Sequence, residues 1–350
     1  MNEYPNQLSA AITWLRFPLI FMVITLHGYS VVQLPGNHST FFHSVYPFAL
    51  WFGETGVPVF FFISGFLFFL SHKTYLEKIK ARCHSLLIPY ILWNALLLFA
   101  YIVAFVVGNP QDINGKNMSD FMWTDYLRLF WDRGSYDNGN FVPLLCPFWY
   151  IRNLLILSLI SPMIYIMNRY LRECYLLAVI IWWILTPHNA FIPQSILFFS
   201  LGAFFSIQDK NPLSLFIQHK TLFISLCLLL AGADIITHTA FPTAINLQIH
   251  RFALIANIPA LFLLAYHFTA KSTLSSVASY LSNSAFIVFS IHYPIVVVLR
   301  KGCIQLFSSS SDFIQIILYF VCIIITTLIS LLFYQVLPTK IKNILSGNRA

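Results

Sequence analysis

Ten apolar runs divided by short polar connections constrain this chain more than any other feature. They cover 8–32, 51–70, 86–107, 148–167, 174–187, 193–207, 221–237, 252–270, 278–299 and 312–336. An α-helix needs about 20 apolar residues to cross a bilayer, and most of the runs come close to that. Backbone in hydrocarbon must satisfy its own hydrogen bonds, so runs of this kind read as spanning helices. Only 9% of the 350 residues are charged, against about a quarter in soluble domains. The expected fold is therefore all-α, a polytopic membrane protein with one transmembrane domain over 1–350 and about ten helices. The fifth and sixth runs are short and lie between Pro187 and Pro193. The first is too long for a signal-peptide core and contains Arg16, so it reads as retained.

The formal charge of +8 does not imply nucleic acid, because the basic residues sit in short loops where they set membrane orientation. With the N-terminus inside, the inner side holds Lys73, Lys78, Lys80, Arg82, Arg169, Arg172, Lys210, Lys220, Lys271, Lys340, Lys342 and Arg349. The outer side holds Lys116, Arg128, Arg133, Arg251, Arg300 and Lys301. Twelve against six places both termini in the cytoplasm, with Arg300 and Lys301 fitting least well. The six cysteines form no CxxC pair, so neither a disulfide framework nor a zinc site is expected, and no metal. No internal repeat is visible.

Arg16 and His27 lie within the first run. Eleven residues is close to three helical turns, so both side chains share one face about 16 Å apart along the axis. Alone, each has a structural reading. An arginine can cap carbonyls freed at Pro18, and a membrane histidine can bond a neighbouring helix. Together they read as a functional pair, since charge in a span usually faces a cavity and an imidazole can take a proton from a hydroxyl. With the termini inside, His27, Glu54, Trp149, Arg152 and His292 come to similar depth on the outer side. The cluster Lys78, Lys80 and Arg82 lies inward, either as orientation signal or as a phosphate anchor. The outer loop 108–147 carries Trp123, Asp125, Trp131, Asp132, Arg133, Tyr136 and Asp137. Such a mixture suits stacking on a sugar or simply covering a bundle.

In this order the segments resemble the acyltransferase 3 family of integral membrane acyltransferases. The resemblance rests on Arg16 and His27, GVPVFFFISGF at 56–66, the basic stretch ending in Arg82 before LLIPYILWN, PFWYIRNL at 147–154, FFSLGAFFS at 198–206 and SIHYP at 290–294. It implies a ten-helix domain in a bacterial cytoplasmic (inner) membrane. Acyl-coenzyme A, with acetyl-CoA as the expected donor, would be used from the cytoplasm. The acyl group would pass to a hydroxyl of a cell-surface or lipid-linked glycan. By that analogy His27 is the general base, with Arg16 and Glu54 as catalytic partners. Arg82, Lys78, Lys80 and Arg16 would bind the donor. Trp149, Arg152, His292 and Trp123 would bind the acceptor. The chain departs from some relatives at Ser85, where they carry a second arginine, and from many at Asn153, where they have an aspartate. Acceptor choice is expected to rest on the membrane domain and its loops, since no extracytoplasmic domain follows the tenth run. The rival reading is a transporter or flippase, which predicts repeats and matched broken helices; a structural subunit is the third. The oligomeric state stays open, a homodimer included.

Overall fold

A computed structural model describes residues 4–28, 40–108, 112–113, 115–134, 140–187, 190–269, 275–307 and 311–348. Tyr136, Asp137, Lys271, Arg349 and the end of the first run lie outside the described residues. The fold is all-α. Its only described strands, β1 (Asp112–Ile113) and β2 (Lys116–Asn117), form a minimal antiparallel hairpin in the outer loop.

Seven rods among the described residues are long and apolar enough to cross a membrane: Asn6–Gly28, His43–Leu70, Tyr75–Val106, Lys220–Ala240, Thr243–Thr269, Ser276–Phe307 and Asp312–Val336. Two bent pairs, Cys146–Leu159 with Ser161–Leu185 at 68° and Phe191–Ile207 with Pro212–Gln218 at 95°, add two more if each is one broken crossing. The elements used below are α1 (Tyr4–Gly28), α2 (Tyr46–Glu54), α3 (Gly56–Leu70), α4 (Tyr75–Arg82), α5 (Ile88–Val106), α6 (Trp123–Arg128), α7 (Trp149–Leu159), α8 (Ser161–Ile166) and α9 (Arg172–Leu185). They continue with α10 (Phe191–Ile207), α11 (Pro212–Gln218), α12 (Lys220–Ala240), α13 (Thr243–Thr269), α14 (Ser275–Phe307), α15 (Asp312–Val336) and α16 (Thr339–Ser346).

The fourth run of the sequence is thus not one straight helix. Pro162 has no amide hydrogen and its ring clashes with the preceding turn, so the chain bends between Leu159 and Ser161. The ninth is longer than its apolar core, because α14 continues through Arg300 and Lys301 to Phe307. Arg251, counted among the outer-loop cations, is a fully buried residue of α13. Its Nη1 and Nη2 donate to the carbonyls of Ile184 and Thr186, both at 2.8 Å, which satisfies the end of α9.

The core is aromatic, and α3 against α10 is its tightest seam. A Cβ on Gly65 would stand 2.0 Å from the Phe199 carbonyl oxygen, and one on Gly202 would stand 1.9 Å from that of Phe62. The two helices therefore meet backbone to backbone at reciprocal glycines, the packing that small residues allow in lipid. This accounts for the glycines of two of the recurring motifs without invoking chemistry. By contrast, α12 leaves Leu222, Leu228, Leu229 and Ile236 exposed, as a lipid-facing helix would.

Three segments distant in sequence meet at one end of the bundle. Gly347 packs against Ser85, the Trp93 indole donates to the Leu345 carbonyl at 3.0 Å, and Arg16 of α1 borders the same cavity as Arg82. Leu8 and Ser9 at the start of α1 share a further lining with Leu70 just before α4, so the start of α1, the region around α4, and α16 lie at the same end.

Candidate active site

A cavity of about 480 Å³ opens among α1, α3, α7 and α14. Arg16 and Arg82, 66 residues apart, both line it, together with Ser64 and Tyr150. Ser64 Oγ and Tyr150 Oη lie 3.2 Å apart. Much of the remaining lining is apolar, Val57, Phe60, Ile63, Phe286 and Phe289 among it. Two cations beside an apolar bore suit an anion with a long neutral arm. Arg82 also lies over the Phe68 ring at 5.5 Å, which leaves its charge in place while holding its stem.

The other proposed donor residues are placed elsewhere. Lys78 borders a second cavity with Tyr75, Ser161 and Tyr165, its ammonium 5.2 Å from the Phe68 ring centre. Lys80 is exposed on α4 and lines neither.

His27 stands near the other end of α1. Its ring centre is 5.5 Å from that of His292 and 5.1 Å from that of Tyr293, the latter edge-on. His292 is fully buried, and its Nδ1 donates to the Phe289 carbonyl at 2.6 Å. That bond fixes the proton on Nδ1 and leaves Nε2 as a lone pair. Nε2 has no hydrogen-bond partner among the described residues. A buried acceptor so left is an opening for a hydroxyl. Phe289 links the two regions: it lines the cavity of Arg16 and Arg82, and its ring centre is 5.8 Å from that of His292. Phe289 thus touches the cation-lined cavity on one side and His292 on the other.

A residue weighed only as part of the loop joins this cluster. The Arg133 guanidinium hydrogen-bonds the Tyr293 hydroxyl. Its position is fixed by the chain around it. Buried Arg152 donates from Nη1 to the Trp131 carbonyl at 2.6 Å and from Nη2 to the Phe141 carbonyl at 2.8 Å. Tyr90 donates to the Phe130 carbonyl, and the Arg133 amide to that of Val142 at 2.7 Å. Asp132 Oδ1 accepts from the Gly134 amide at 2.9 Å. Burial pushes the Asp132 carboxyl up, but the Gly134 and Val142 amides and Arg128 outweigh it, and the carboxyl stays below its ordinary range. This anchor is complete at neutral pH and is lost only as pH falls through that depressed value. The tight spacing of Trp131, Asp132 and Arg133 was the available sequence signal; what was hidden was the partner, 160 residues away.

Arg152 therefore acts on the loop, and its neighbour Asn153 reaches Ser195 Oγ at 3.0 Å. Trp149 stacks on Phe191 at 3.9 Å, bracing α7 against α10. Trp123 projects from α6 and is 74% exposed. Glu54 forms a different unit. Its Oε2 is 3.0 Å from His250 Nε2, while His250 Nδ1 is 2.7 Å from Asp234 Oδ2. An imidazole between two carboxylates thus ties α2, α12 and α13 together. No group of three or more His, Cys, Asp or Glu with metal-holding geometry occurs among the described residues.

Comparison with known proteins shows the family. The acyltransferase-domain family acyltransferase 3 matches residues 9–335. The chain belongs to that family of acyltransferases. It is also 26% identical over 170 residues to the succinoglycan biosynthesis protein ExoH of Rhizobium meliloti (strain 1021). That match takes in 45% of this chain and 42% of the relative, so the chain spans less than half of the relative's length. No solved structure matches.

Proposed function

We propose that the protein is an integral membrane O-acyltransferase that moves an acyl group, acetyl in the first instance, from cytoplasmic acyl-coenzyme A to a hydroxyl of a cell-surface or lipid-linked glycan. The observation that carries this reading is the succession of three features in one bundle: a cavity with two arginines, the Phe289 ring that lines it, and paired imidazoles beside that ring. In the proposed reaction His27 takes the proton of the acceptor hydroxyl. The acceptor oxygen bonds to the thioester carbonyl carbon, the carbon–sulfur bond breaks, and coenzyme A leaves as the thiol after taking up a proton. His292 Nε2 and Arg133 orient the acceptor. The relative's name, a succinoglycan biosynthesis protein, is the motive for a glycan acceptor. Mass spectrometry of surface polysaccharides from cells with and without the protein tests this. Loss of one acyl mass is expected, and unchanged glycans would overturn it.

The cation-lined end is the cytoplasmic one in this proposal, with both chain ends there in a single ten-crossing domain. Seven rods and two single bent crossings make an odd count. Ends on one side therefore require one pair to cross twice, and Cys146–Leu185 is the pair that the fourth and fifth runs assign to it. Single cysteines introduced into cells and probed with an impermeant thiol reagent should label at position 123 and not at 78. The reverse pattern would invert the orientation.

Arg82→Ala is expected to raise the apparent KM for the donor by about 10-fold or more while kcat at saturation changes little. A phosphate contact present in both ground and transition states contributes uniform binding, and a charge-assisted bond contributes about 1.5–3 kcal/mol. Steady-state kinetics in purified membranes measures this. An unchanged donor dependence would return Arg82 to its orientation role.

A further inference from the structure

The segment after α15 lines the donor cavity. Asn348 borders it beside Arg16, Arg82 and Ser85. The segment is held in place from several sides. Gly347 has φ of 64°, in the left-handed region that favours glycine, and a Cβ there would stand 2.6 Å from the Ser85 backbone. Ser346 is fully buried, and the Lys342 ammonium lies 4.4 Å from the Tyr334 ring centre. The Asn348 amide donates to the Asn343 carbonyl at 2.8 Å, closing the end of α16. The result is a fixed wall rather than a loose end.

Apart from Arg16 and Arg82, the polar groups of the lining are neutral. Asn283 is exposed to it, and Ser282 lines it while only 5% exposed. Ser282 Oγ is buried and has no hydrogen-bond partner among the described residues. A buried hydroxyl in that condition calls for a partner from the cavity. No carboxylate lines this cavity among the described residues. The lining thus has two parts besides its apolar bore: arginines for phosphate, and a set of amides and hydroxyls. A carboxamide offers two N–H donors and a carbonyl acceptor, so it can pair with both halves of another amide. The donor proposed above has such groups, because a pantetheine arm carries two amides between its phosphates and its thioester.

We propose that Asn348, with Ser282 and Asn283 of the same lining, binds the amide-bearing arm of the thioester donor, so that the segment Pro338–Asn348 is a working wall of the donor site. This rests on the reading of the cavity as an acyl-coenzyme A site. It assigns a division of labour within it: arginines hold the phosphates, and the amide rim sets how far the arm advances toward Phe289.

The test uses full-length protein in membranes at matched abundance, with acetyl-CoA as varied substrate. Asn348→Gly removes the carboxamide while relaxing the left-handed backbone, whose φ is 62°. It should raise the apparent donor KM about 3- to 10-fold, the loss of one or two neutral hydrogen bonds, with kcat within about 2-fold. Asn348→Asp keeps the shape but adds charge beside an anionic ligand and removes the donors; it should raise KM about 10-fold or more. Arg82→Ala serves as the independent check on the cavity. If Arg82→Ala raises donor KM and both Asn348 variants leave it unchanged, the wall is only structural and this proposal falls while the donor site stands. If none of the three moves donor KM, the cavity is not the donor site and both fall. If the Asn348 variants lower thermal stability and kcat with no change in KM, the segment is a brace and the proposal is overturned.

Discussion

His27→Ala is expected to abolish acyl transfer while leaving the protein folded and inserted. Removing a general base commonly costs about 10²–10⁴-fold in rate, or roughly 3–5 kcal/mol of barrier. His27 is the titratable side chain through which α1 joins both Tyr293 and His292, at ring separations of 5.1 and 5.5 Å. His27→Gln should not restore activity, because an amide can hydrogen-bond but cannot accept the proton. His292→Ala is the comparison, since its Nδ1 is committed to the Phe289 carbonyl and only Nε2 is open to an acceptor. Its loss should be smaller, about 10-fold, as for an orienting hydrogen bond. Rates must be compared at equal membrane abundance. Near-normal transfer by His27→Gln would make the imidazole a strut and move the base to His292.

Asp234→Ala is expected to lower stability by about 3–5 kcal/mol, the usual cost of removing one partner from a buried ionic unit. Asp234 is 3% exposed and accepts from His250 at 2.7 Å and from Asn246 Nδ2 at 3.1 Å. The substitution leaves buried His250 Nδ1 of α13 without its acceptor and loosens α12 from it, although Asn246 keeps the backbone carbonyl of residue 234 and Thr237 Oγ1, both at 3.0 Å. Glu54→Gln keeps a hydrogen bond to His250 and should be far milder. A melting curve in detergent, read by tryptophan fluorescence, gives both. The same pair decides what Glu54 does. If Glu54→Gln keeps transfer, the carboxylate serves the fold; if transfer is lost at unchanged stability, it serves the chemistry. An Asp234→Ala protein as stable as the parent would contradict the triad as a clamp.

Much of the architecture was legible because lipid imposes simple rules. Apolar length marked the helices, and the basic cluster at Lys78–Arg82 and the cations of α16 do lie at one end with Arg16. Depth along two parallel runs put His27 and His292 on one side of the bundle; that their rings meet at 5.5 Å is what the fold adds. What stayed hidden were contacts whose two halves carry no local signature. Arg251 looked like a loop cation because it stands just before the run at 252–270, yet it caps α9 through Ile184 and Thr186. Glu54 and His250 are 196 residues apart, and nothing in either segment announces the other. Arg152 reads equally as a membrane-surface anchor or a ligand contact; only the fold shows it gripping the carbonyls that carry Arg133. The bend before Pro162 was visible as a residue but not as a direction, since a proline in a membrane helix can kink it, end it or be absorbed.

The central claim is that a donor bound at the arginine end serves an acceptor at the histidine end. Sealed inside-out vesicles, given acetyl-CoA with an isotope-labelled acetyl group on the outer, formerly cytoplasmic face, test it most directly. With the parent protein the label should appear on glycan inside the vesicles, and with His27→Gln it should not. Labelling that requires acetyl-CoA inside the vesicles, or that is equal in the two proteins, would contradict the account.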